Sequence, residues 1–346
     1  MNYELLVIGN GRESIDEALA AARRGELVAL VQPHSFHCVG NAPRGDGQNG
    51  VPYRSPRGAL PTRLNDGMRS LRDGISIDVL RRAASRLGGA GLVRMSDLRD
   101  EAVRIASEQW LADRLELECL GVEVYCGDVR FVDERTVVVA EEGLVANQSD
   151  EAGVCERTLT ARRVLLGCGT RSIRPSHVRF DSRRILDVES LLMLDELPRS
   201  MIVVGAGETG LDYAMLLGSL GVDVTVIDEK ANVFDVYGGL MNDTRLCEMQ
   251  SLDIAFRLGD EMIGVETRGD DAVAVRLASG KVFVAEAALI CVGRVGETES
   301  LNLEAAGVGL DERGRVWCDA DGQTWASHIR AVGPVVGFRA ASVMAG

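Results

Sequence analysis

The sequence predicts an α/β protein with two doubly wound domains, and three observations carry this prediction. Residues 5–32 align without a gap to residues 201–228, with glycines at matching places in both copies. Each copy has the pattern of an apolar strand, a glycine turn, a helix and a second apolar strand, which is a βαβ unit and favours a parallel sheet. The length of 346 residues is enough for about two domains with a core in each.

The second copy carries the complete glycine pattern of a dinucleotide-binding turn. Gly205 allows a tight turn after the strand, Gly207 lets the backbone approach a pyrophosphate, and Gly210 lets the helix pack closely on the strand. Asp228 follows about 20 residues later, at the end of the second strand, where a carboxylate accepts hydrogen bonds from both ribose hydroxyls. These features predict NAD(H) in preference to NADP(H), although Lys230 lies nearby. The alternative is a glycine turn that only caps a helix.

The first copy departs from this pattern. Ser14 stands where the third glycine would be, and Glu13 places a carboxylate close to an incoming pyrophosphate. Gln32 occupies the place of Asp228 and cannot accept from two hydroxyls as a carboxylate does. Arg12 could offset the charge of Glu13. A dinucleotide site in this copy is therefore expected to be weakened.

Composition excludes several classes of function. The chain has 52 acidic and 38 basic side chains and a net charge of −14, which repels nucleic acid and anionic lipid. No apolar run approaches the ~20 residues that cross a bilayer. The sequence shows no export signal, and its eight cysteines form no C-x-x-C pair, so we expect a cytoplasmic protein. His34, His37 and Cys38 have no second ligand set, so no metal site is predicted.

A long amphipathic helix is predicted from Leu98 to about Leu120. Ser96 is the expected N-cap. The spacing of the apolar residues predicts that Trp110 packs in the core and does not contact a cofactor. The apolar positions are Leu98, Ala102, Ile105, Trp110, Leu111 and Leu115.

Two dinucleotide units in one chain resemble the pyridine nucleotide-disulfide reductase superfamily, whose first unit binds FAD and whose second binds NAD(P). Four further segments match the family in the correct order: residues 127–136, VLLGCGTRSIRP at 164–175, ALICVGR at 288–294 and IRAVG at 329–333. Within the superfamily the chain looks most like the soluble pyridine nucleotide transhydrogenases. These flavoproteins pass a hydride between NADPH and NAD through FAD.

The resemblance implies nested Rossmann-like domains and assigns the site residues. The FAD-like domain would comprise residues 1–175 and 294–346, and the NAD(P) domain residues 176–293. It implies an NAD site at Gly205, Gly207, Gly210, Asp228 and Gly293, and an FAD site at Gly9, Gly11, Ser14, Gln32, Val129, Gly169 and Gly333.

The resemblance also locates the catalytic positions. Arg54 and Ala59 stand where the family has its redox cysteines, so disulfide reduction by the family route is not expected. Arg63 matches the family lysine near the flavin, and Asp212 matches the glutamate at the nicotinamide edge. The two could form a pair, or they could be independent solvated charges. Pro334 stands where the family has a flavin-binding aspartate, and the family's C-terminal dimerisation domain is missing, which leaves the oligomeric state open.

Two functions follow from these observations. The first is a flavin-linked NAD(P)H oxidoreductase of the transhydrogenase kind, in which the cofactor carries the chemistry and the protein positions it. The second is an NAD(H)-binding relative that has lost flavin and acts as a sensor or an interaction protein. A third possibility is that a separate chain supplies the missing domain.

Overall fold

The computed structural model describes residues 2–33, 76–88, 93–142, 154–232 and 243–339. Six α-helices lie in this part of the chain: α1 Arg12–Arg23, α2 Ile77–Leu87, α3 Met95–Cys119, α4 Val188–Leu191, α5 Glu208–Ser219 and α6 Asp243–Ser251. Two 3-10 helices span Leu303–Ala306 and Gly333–Val335.

The strands, in chain order, are β1 Asn2–Ile8, β2 Val28–Gln32, β3 Glu123–Cys126, β4 Asp128–Phe131, β5 Thr136–Glu142, β6 Val154–Leu166, β7 Thr170–Ser172, β8 Ile185–Leu186, β9 Ser200–Val204, β10 Asp223–Asp228, β11 Ala255–Leu258, β12 Met262–Arg268, β13 Ala272–Leu277, β14 Val282–Ala285, β15 Ala287–Ile290, β16 Arg294–Gly296, β17 Val316–Cys318, β18 Ile329–Ala331 and β19 Val336–Arg339. The predicted α/β class is confirmed.

The chain divides into two compact units. The first comprises residues 1–74, 107–171 and 295–346, and the second comprises residues 75–106 and 172–294. The sequence-based division had placed residues 75–106 with the first unit. They group with the second because α2 packs on α5, which belongs to the second unit.

The first unit is built on a seven-stranded sheet in the order β3-β2-β1-β6-β5-β4, with β18 also paired to β6. The pairs β1–β2, β2–β3, β1–β6 and β6–β18 are parallel, whereas β4–β5 and β5–β6 are antiparallel. The two strands of the first repeat are in register from Leu5 with Val28 to Ile8 with Val31. Helix α1 and Trp110 of α3 cover one face of the sheet through a shared apolar cluster.

The second unit contains a five-stranded sheet in the order β11-β10-β9-β15-β8, and all of its strand pairs are parallel. A three-stranded antiparallel sheet, β12-β13-β14, covers one of its faces. Ile202, Val204 and Ile290 from the parallel sheet pack there against Val273 and Val275. Because the parallel strands all end at one edge, the segments that follow β9, β10 and β15 lie close together.

Helix α3 differs in part from its prediction. The helix begins at Met95, so Ser96 lies inside it and is not the N-cap. The Arg94 N–H, just before the helix, donates to the Asp97 carboxylate at 3.4 Å. Trp110 is buried, as predicted, but Leu111 and Leu115 are 43% and 55% exposed. The reason is geometric: the buried positions Trp110 and Leu117 lie two turns apart on one face, and Leu111 and Leu115 fall outside it.

In the part of the chain that the structure describes, no helix is long and apolar enough to cross a bilayer.

Candidate nucleotide sites

The second glycine turn has the close contacts that the sequence predicted. Gly205 has φ +109°, and a Cβ there would lie 2.3 Å from the carbonyl oxygen of Cys291. A Cβ on Gly210 would lie 1.9 Å from the carbonyl oxygen of Gly205. Gly207 is the N-cap of α5. Only glycine fits at Gly205 and Gly210, and the first N–H groups of α5 are left for an anion.

Asp228 is fixed beside this turn. One carboxylate oxygen accepts from the Ala206 N–H at 2.6 Å, and the other accepts from the Lys230 N–H at 2.8 Å. Each oxygen has a lone pair left, so the carboxylate can still accept from two hydroxyls. The backbone donor at Ala206 couples the orientation of Asp228 to the turn that receives the pyrophosphate.

Gly293 lies at the same edge of the parallel sheet, just after β15. It has φ +133°, and its carbonyl oxygen accepts from the Ile173 N–H at 3.0 Å. Arg294 forms an ion pair with Glu189 at 3.6 Å. The structure therefore brings Gly205, Asp228 and Gly293 to one edge of the sheet in the second unit.

Asp212 is buried and paired. It is 8% exposed, and Arg81 on α2 donates to its carboxylate at 2.7 Å. This excludes the alternative in which Asp212 is a solvated charge. Arg63, the partner suggested by the sequence, lies outside the described residues, as do Arg54, Ala59 and the group of His34, His37 and Cys38. Nothing in the sequence had marked Arg81.

The first glycine turn keeps its backbone geometry despite Ser14. A Cβ on Gly9 would lie 2.1 Å from the carbonyl oxygen of Gly167. Ser14 is buried, and its hydroxyl oxygen lies 2.1 Å from where a Cβ on Gly167 would be. Gly167 therefore leaves the space that Ser14 fills. Nothing in the sequence had linked Gly167 to Ser14.

The other residues predicted for the first site have mixed placements. Gln32 is buried at the end of β2, and its amide oxygen accepts a weak hydrogen bond from the thiol of Cys126 at 3.5 Å. Val129 is 2% exposed and its side chain lies in the core of the first unit, so any ligand contact would come from its backbone. Gly169 has φ +83°, and its carbonyl oxygen accepts from the Glu297 N–H at 3.1 Å.

The charged residues of the first turn are arranged unfavourably for a diphosphate. Arg12 is bound to both carboxylate oxygens of Asp113, at 2.9 and 3.0 Å, and also pairs with Asp16. The Glu13 carboxylate lies 2.7 Å from where a Cβ on Gly333 would be. The predicted compensation of Glu13 by Arg12 is therefore not seen.

Two cysteine thiols are poorly reactive. Desolvation by burial raises the pKa of Cys291 to about 12, and it raises the pKa of Cys168 to about 12 as well. No disulfide links the described cysteines. Among the described residues, no three His, Cys, Asp or Glu side chains lie close enough together to hold a metal ion.

Comparison with known proteins identifies the architecture. The family model of the pyridine nucleotide-disulphide oxidoreductases matches residues 3–345. The soluble pyridine nucleotide transhydrogenase of Mycobacterium bovis is 32% identical over 339 residues, which cover 98% of this chain and 67% of the relative. The protein of the same name from Pseudomonas aeruginosa is 28% identical over 339 residues, 97% of this chain and 67% of its own length.

Solved structures show the same fold. The HOCl-induced flavoprotein disulfide reductase RclA from Escherichia coli, as its Cu(II) complex, has a TM-score of 0.68 at 20% identity, and the match covers 98% of this chain and 67% of that one. LpdA from Mycobacterium tuberculosis has a TM-score of 0.66 at 22% identity, with coverage of 96% and 68%. The chain thus spans about two thirds of the length of these proteins.

Proposed function

Because the chain belongs to the pyridine nucleotide-disulphide oxidoreductase family, we propose that it is a flavin-linked NAD(P)H oxidoreductase of the transhydrogenase kind. The proposed reaction is hydride transfer between nicotinamide nucleotides through FAD. The relative that is 32% identical over nearly the whole chain carries the name transhydrogenase, which supports this reaction over others in the family.

The observation that carries the proposal is the nucleotide cradle of the second unit, formed by the glycine turn from Gly205 to Gly210 and by Asp228. Gly205 and Gly210 leave no room for a side chain, and the N-terminus of α5 presents free N–H groups to a pyrophosphate. Asp228 is held at the turn by two backbone donors and faces the place of the ribose hydroxyls. A carboxylate at this place repels a 2′-phosphate, so we propose that this unit prefers NAD(H) to NADP(H).

The first unit is proposed to hold the flavin. Its backbone fits a dinucleotide, because Gly9 and Gly167 keep the turn tight and Gly11 is the N-cap of α1. When bound, FAD supplies the hydride chemistry, and the protein holds and orients it. The comparisons do not support the alternative that this unit has lost flavin. RclA, whose fold matches 98% of this chain, is a flavoprotein.

Residue roles follow from these two sites. We propose the FAD contacts at Gly9, Gly11, Ser14, Gln32, Gly169 and Gly333 and at the backbone of Val129, and the NAD contacts at Gly205, Gly207, Gly210, Asp228 and Gly293. Arg63 and Asp212 are proposed to lie at the edge where the nicotinamide and the flavin meet. Arg54 and Ala59 at the cysteine positions support hydride transfer without a dithiol relay.

We propose that the first unit, residues 1–74, 107–171 and 295–346, holds FAD and that the second unit, residues 75–106 and 172–294, holds NAD(P). The partners proposed are nicotinamide nucleotides. We also propose a cytoplasmic location, because eight cysteines without a C-x-x-C pair suit a reducing compartment.

A coupled assay tests this function. The protein is purified with added FAD and given NADPH and a chromogenic NAD⁺ analogue, and formation of the reduced analogue is followed. We expect FAD-dependent turnover that Asp228→Ala reduces. Turnover that is no faster than the uncatalysed rate, in a sample shown to bind both FAD and NAD, would contradict the transhydrogenase assignment.

A further inference from the structure

The exposed carboxylate of Glu13 lies near Gly333, beside the first glycine turn. Glu13 is in the first turn of α1, and its Oε2 lies 2.7 Å from where a Cβ on Gly333 would be. Gly333 has φ +74° and begins the 3-10 helix that follows β18. Both residues belong to the first unit. The negative charge therefore sits between the start of α1 and Gly333, two positions that the family resemblance assigns to the FAD site.

The repeat within the chain shows that a glycine turn of this kind does not require a negative charge at this position. Thr209 is the residue of the second copy that aligns with Glu13. The second copy does carry one acid, Glu208, but it aligns with Arg12 and not with Glu13. A neutral side chain at the second position of the helix is thus compatible with this turn.

Among the residues that the structure describes, no cation pairs with Glu13. The Arg12 guanidinium is engaged by Asp113 and Asp16. Gln32, at the ribose position, is neutral and its amide oxygen is held by Cys126. A helix N-terminus favours negative charge, and Glu13 already supplies one there. An incoming diphosphate therefore meets a like charge at short range.

We propose that Glu13 opposes the diphosphate of the flavin and makes FAD an exchanging ligand of the first unit instead of a permanently held one. This inference rests on the proposed function and assigns to Glu13 the control of flavin affinity. A unit charge at about 5 Å from a phosphate changes affinity by about tenfold in partly screened surroundings.

Binding measurements on four proteins test the proposal. They are the wild type, Glu13→Thr, which copies the second turn, Glu13→Gln, and the control Glu17→Gln. Glu17 lies one turn further along α1, about 6 Å further from the helix start, and its replacement changes the net charge equally. FAD affinity is measured by quenching of flavin fluorescence and by retention through gel filtration. Riboflavin, which lacks phosphates, is the second probe, and melting curves establish that each variant folds.

We expect both Glu13 variants to bind FAD about tenfold more tightly than wild type, with a smaller difference in high salt, and to retain it through gel filtration. Glu17→Gln should behave as wild type, and riboflavin binding should not respond to Glu13. Equal FAD affinity in wild type and both Glu13 variants overturns the inference while leaving the proposed function intact. Absence of FAD binding in all four folded proteins overturns both.

Discussion

Arg81 donates a hydrogen bond from its guanidinium to the buried carboxylate of Asp212, at 2.7 Å, where α2 packs on α5. Asp212 lies just over one turn into the helix whose start forms the nucleotide cradle. The pair ties a segment that is distant in sequence to that helix, and it fixes the direction of the one carboxylate predicted at the nicotinamide edge.

Replacing Arg81 should therefore affect both stability and turnover. Arg81→Ala removes a charged hydrogen-bond donor to a buried carboxylate, and we expect the free energy of unfolding to fall by about 1–2 kcal/mol. NADH oxidation should slow, and Arg81→Lys should restore part of it. The matched control is Arg86→Ala, which removes a cation from the same helix and breaks its pair with Glu101. Urea unfolding measures the effect on stability, and steady-state kinetics measure the effect on turnover. Equal losses of turnover in Arg81→Ala and Arg86→Ala would refute the role of Arg81.

Asp228 should determine which nucleotide stabilises the protein. We expect NAD to raise the melting temperature more than NADP does, because the carboxylate binds a free ribose and repels a 2′-phosphate. Asp228→Ala should remove this difference. Thermal unfolding with each nucleotide at equal concentration measures it. Equal stabilisation of the wild type by NAD and NADP would contradict the role of Asp228.

The two glycines of α5 should respond differently to a methyl group. Gly210→Ala places a carbon 1.9 Å from the Gly205 carbonyl oxygen, and we expect a loss of about 2–4 kcal/mol and of NAD binding. At Gly218 the nearest atom is the Leu252 Cβ, 3.3 Å away, and alanine is the better helix former. Gly218→Ala should thus stay within about 1 kcal/mol of wild type. Chemical unfolding and NAD titration check both, and a tolerated Gly210→Ala would show that the turn is looser than described.

Asp187 should contribute to acid sensitivity. It is buried, accepts from the Ser190 N–H at 2.8 Å and pairs with Arg174. Although desolvation by burial acts in the opposite direction, the hydrogen bonds with Arg174 and Ser190 lower the pKa of Asp187 below its usual value. The stabilisation is therefore present above about pH 4, where the carboxyl is also ionised in the unfolded chain, and is lost as the pH falls through the lower folded pKa.

Urea unfolding of wild type and Asp187→Asn from about pH 7 to about pH 3 tests this assignment. We expect the variant to be less stable at neutral pH by about 1–3 kcal/mol and to lose less stability on acidification. Parallel pH profiles for the two proteins would rule out the assignment.

Thiol reactivity should follow burial. Cys168 and Cys291 have a pKa near 12 and are almost wholly protonated at about pH 8, whereas Cys119 and Cys247 are exposed. Brief alkylation followed by mass spectrometry should modify Cys119 and Cys247 first, and the unfolded chain should react at all four. Rapid labelling of Cys168 in the folded protein would contradict its burial.

The repeat made the nucleotide turns predictable. Each glycine is required locally, by a positive φ or by the close approach of another backbone atom, and such requirements can be recognised from the glycine pattern. Gly205, Gly210 and Asp228 are placed as expected for this reason. Ser14 could be judged only with Gly167, which lies far away in the chain and removes the side chain that would collide with it. The sequence alone showed an altered residue and not its compensation.

The pairing of Arg81 with Asp212 could not be predicted. It depends on the packing of two helices separated by more than a hundred residues, and an arginine on an exposed helical face has no distinguishing pattern. The start of α3 was misjudged for a related reason: the helix begins at Met95, so Ser96 lies inside it, and its N–H donates to the Asp195 carbonyl. Such choices depend on tertiary partners.

Anaerobic reduction of the bound flavin tests the central claim most directly. The protein is first saturated with FAD. It is then exchanged into a buffer that contains a low concentration of FAD, so that the bound flavin is retained. NADH is added without oxygen, and the visible absorbance of the flavin is followed. We predict that NADH bleaches the flavin and that Asp228→Ala requires a higher NADH concentration for the same rate. A flavin absorbance that neither NADH nor NADPH changes, in protein that binds both FAD and NAD, would contradict the account.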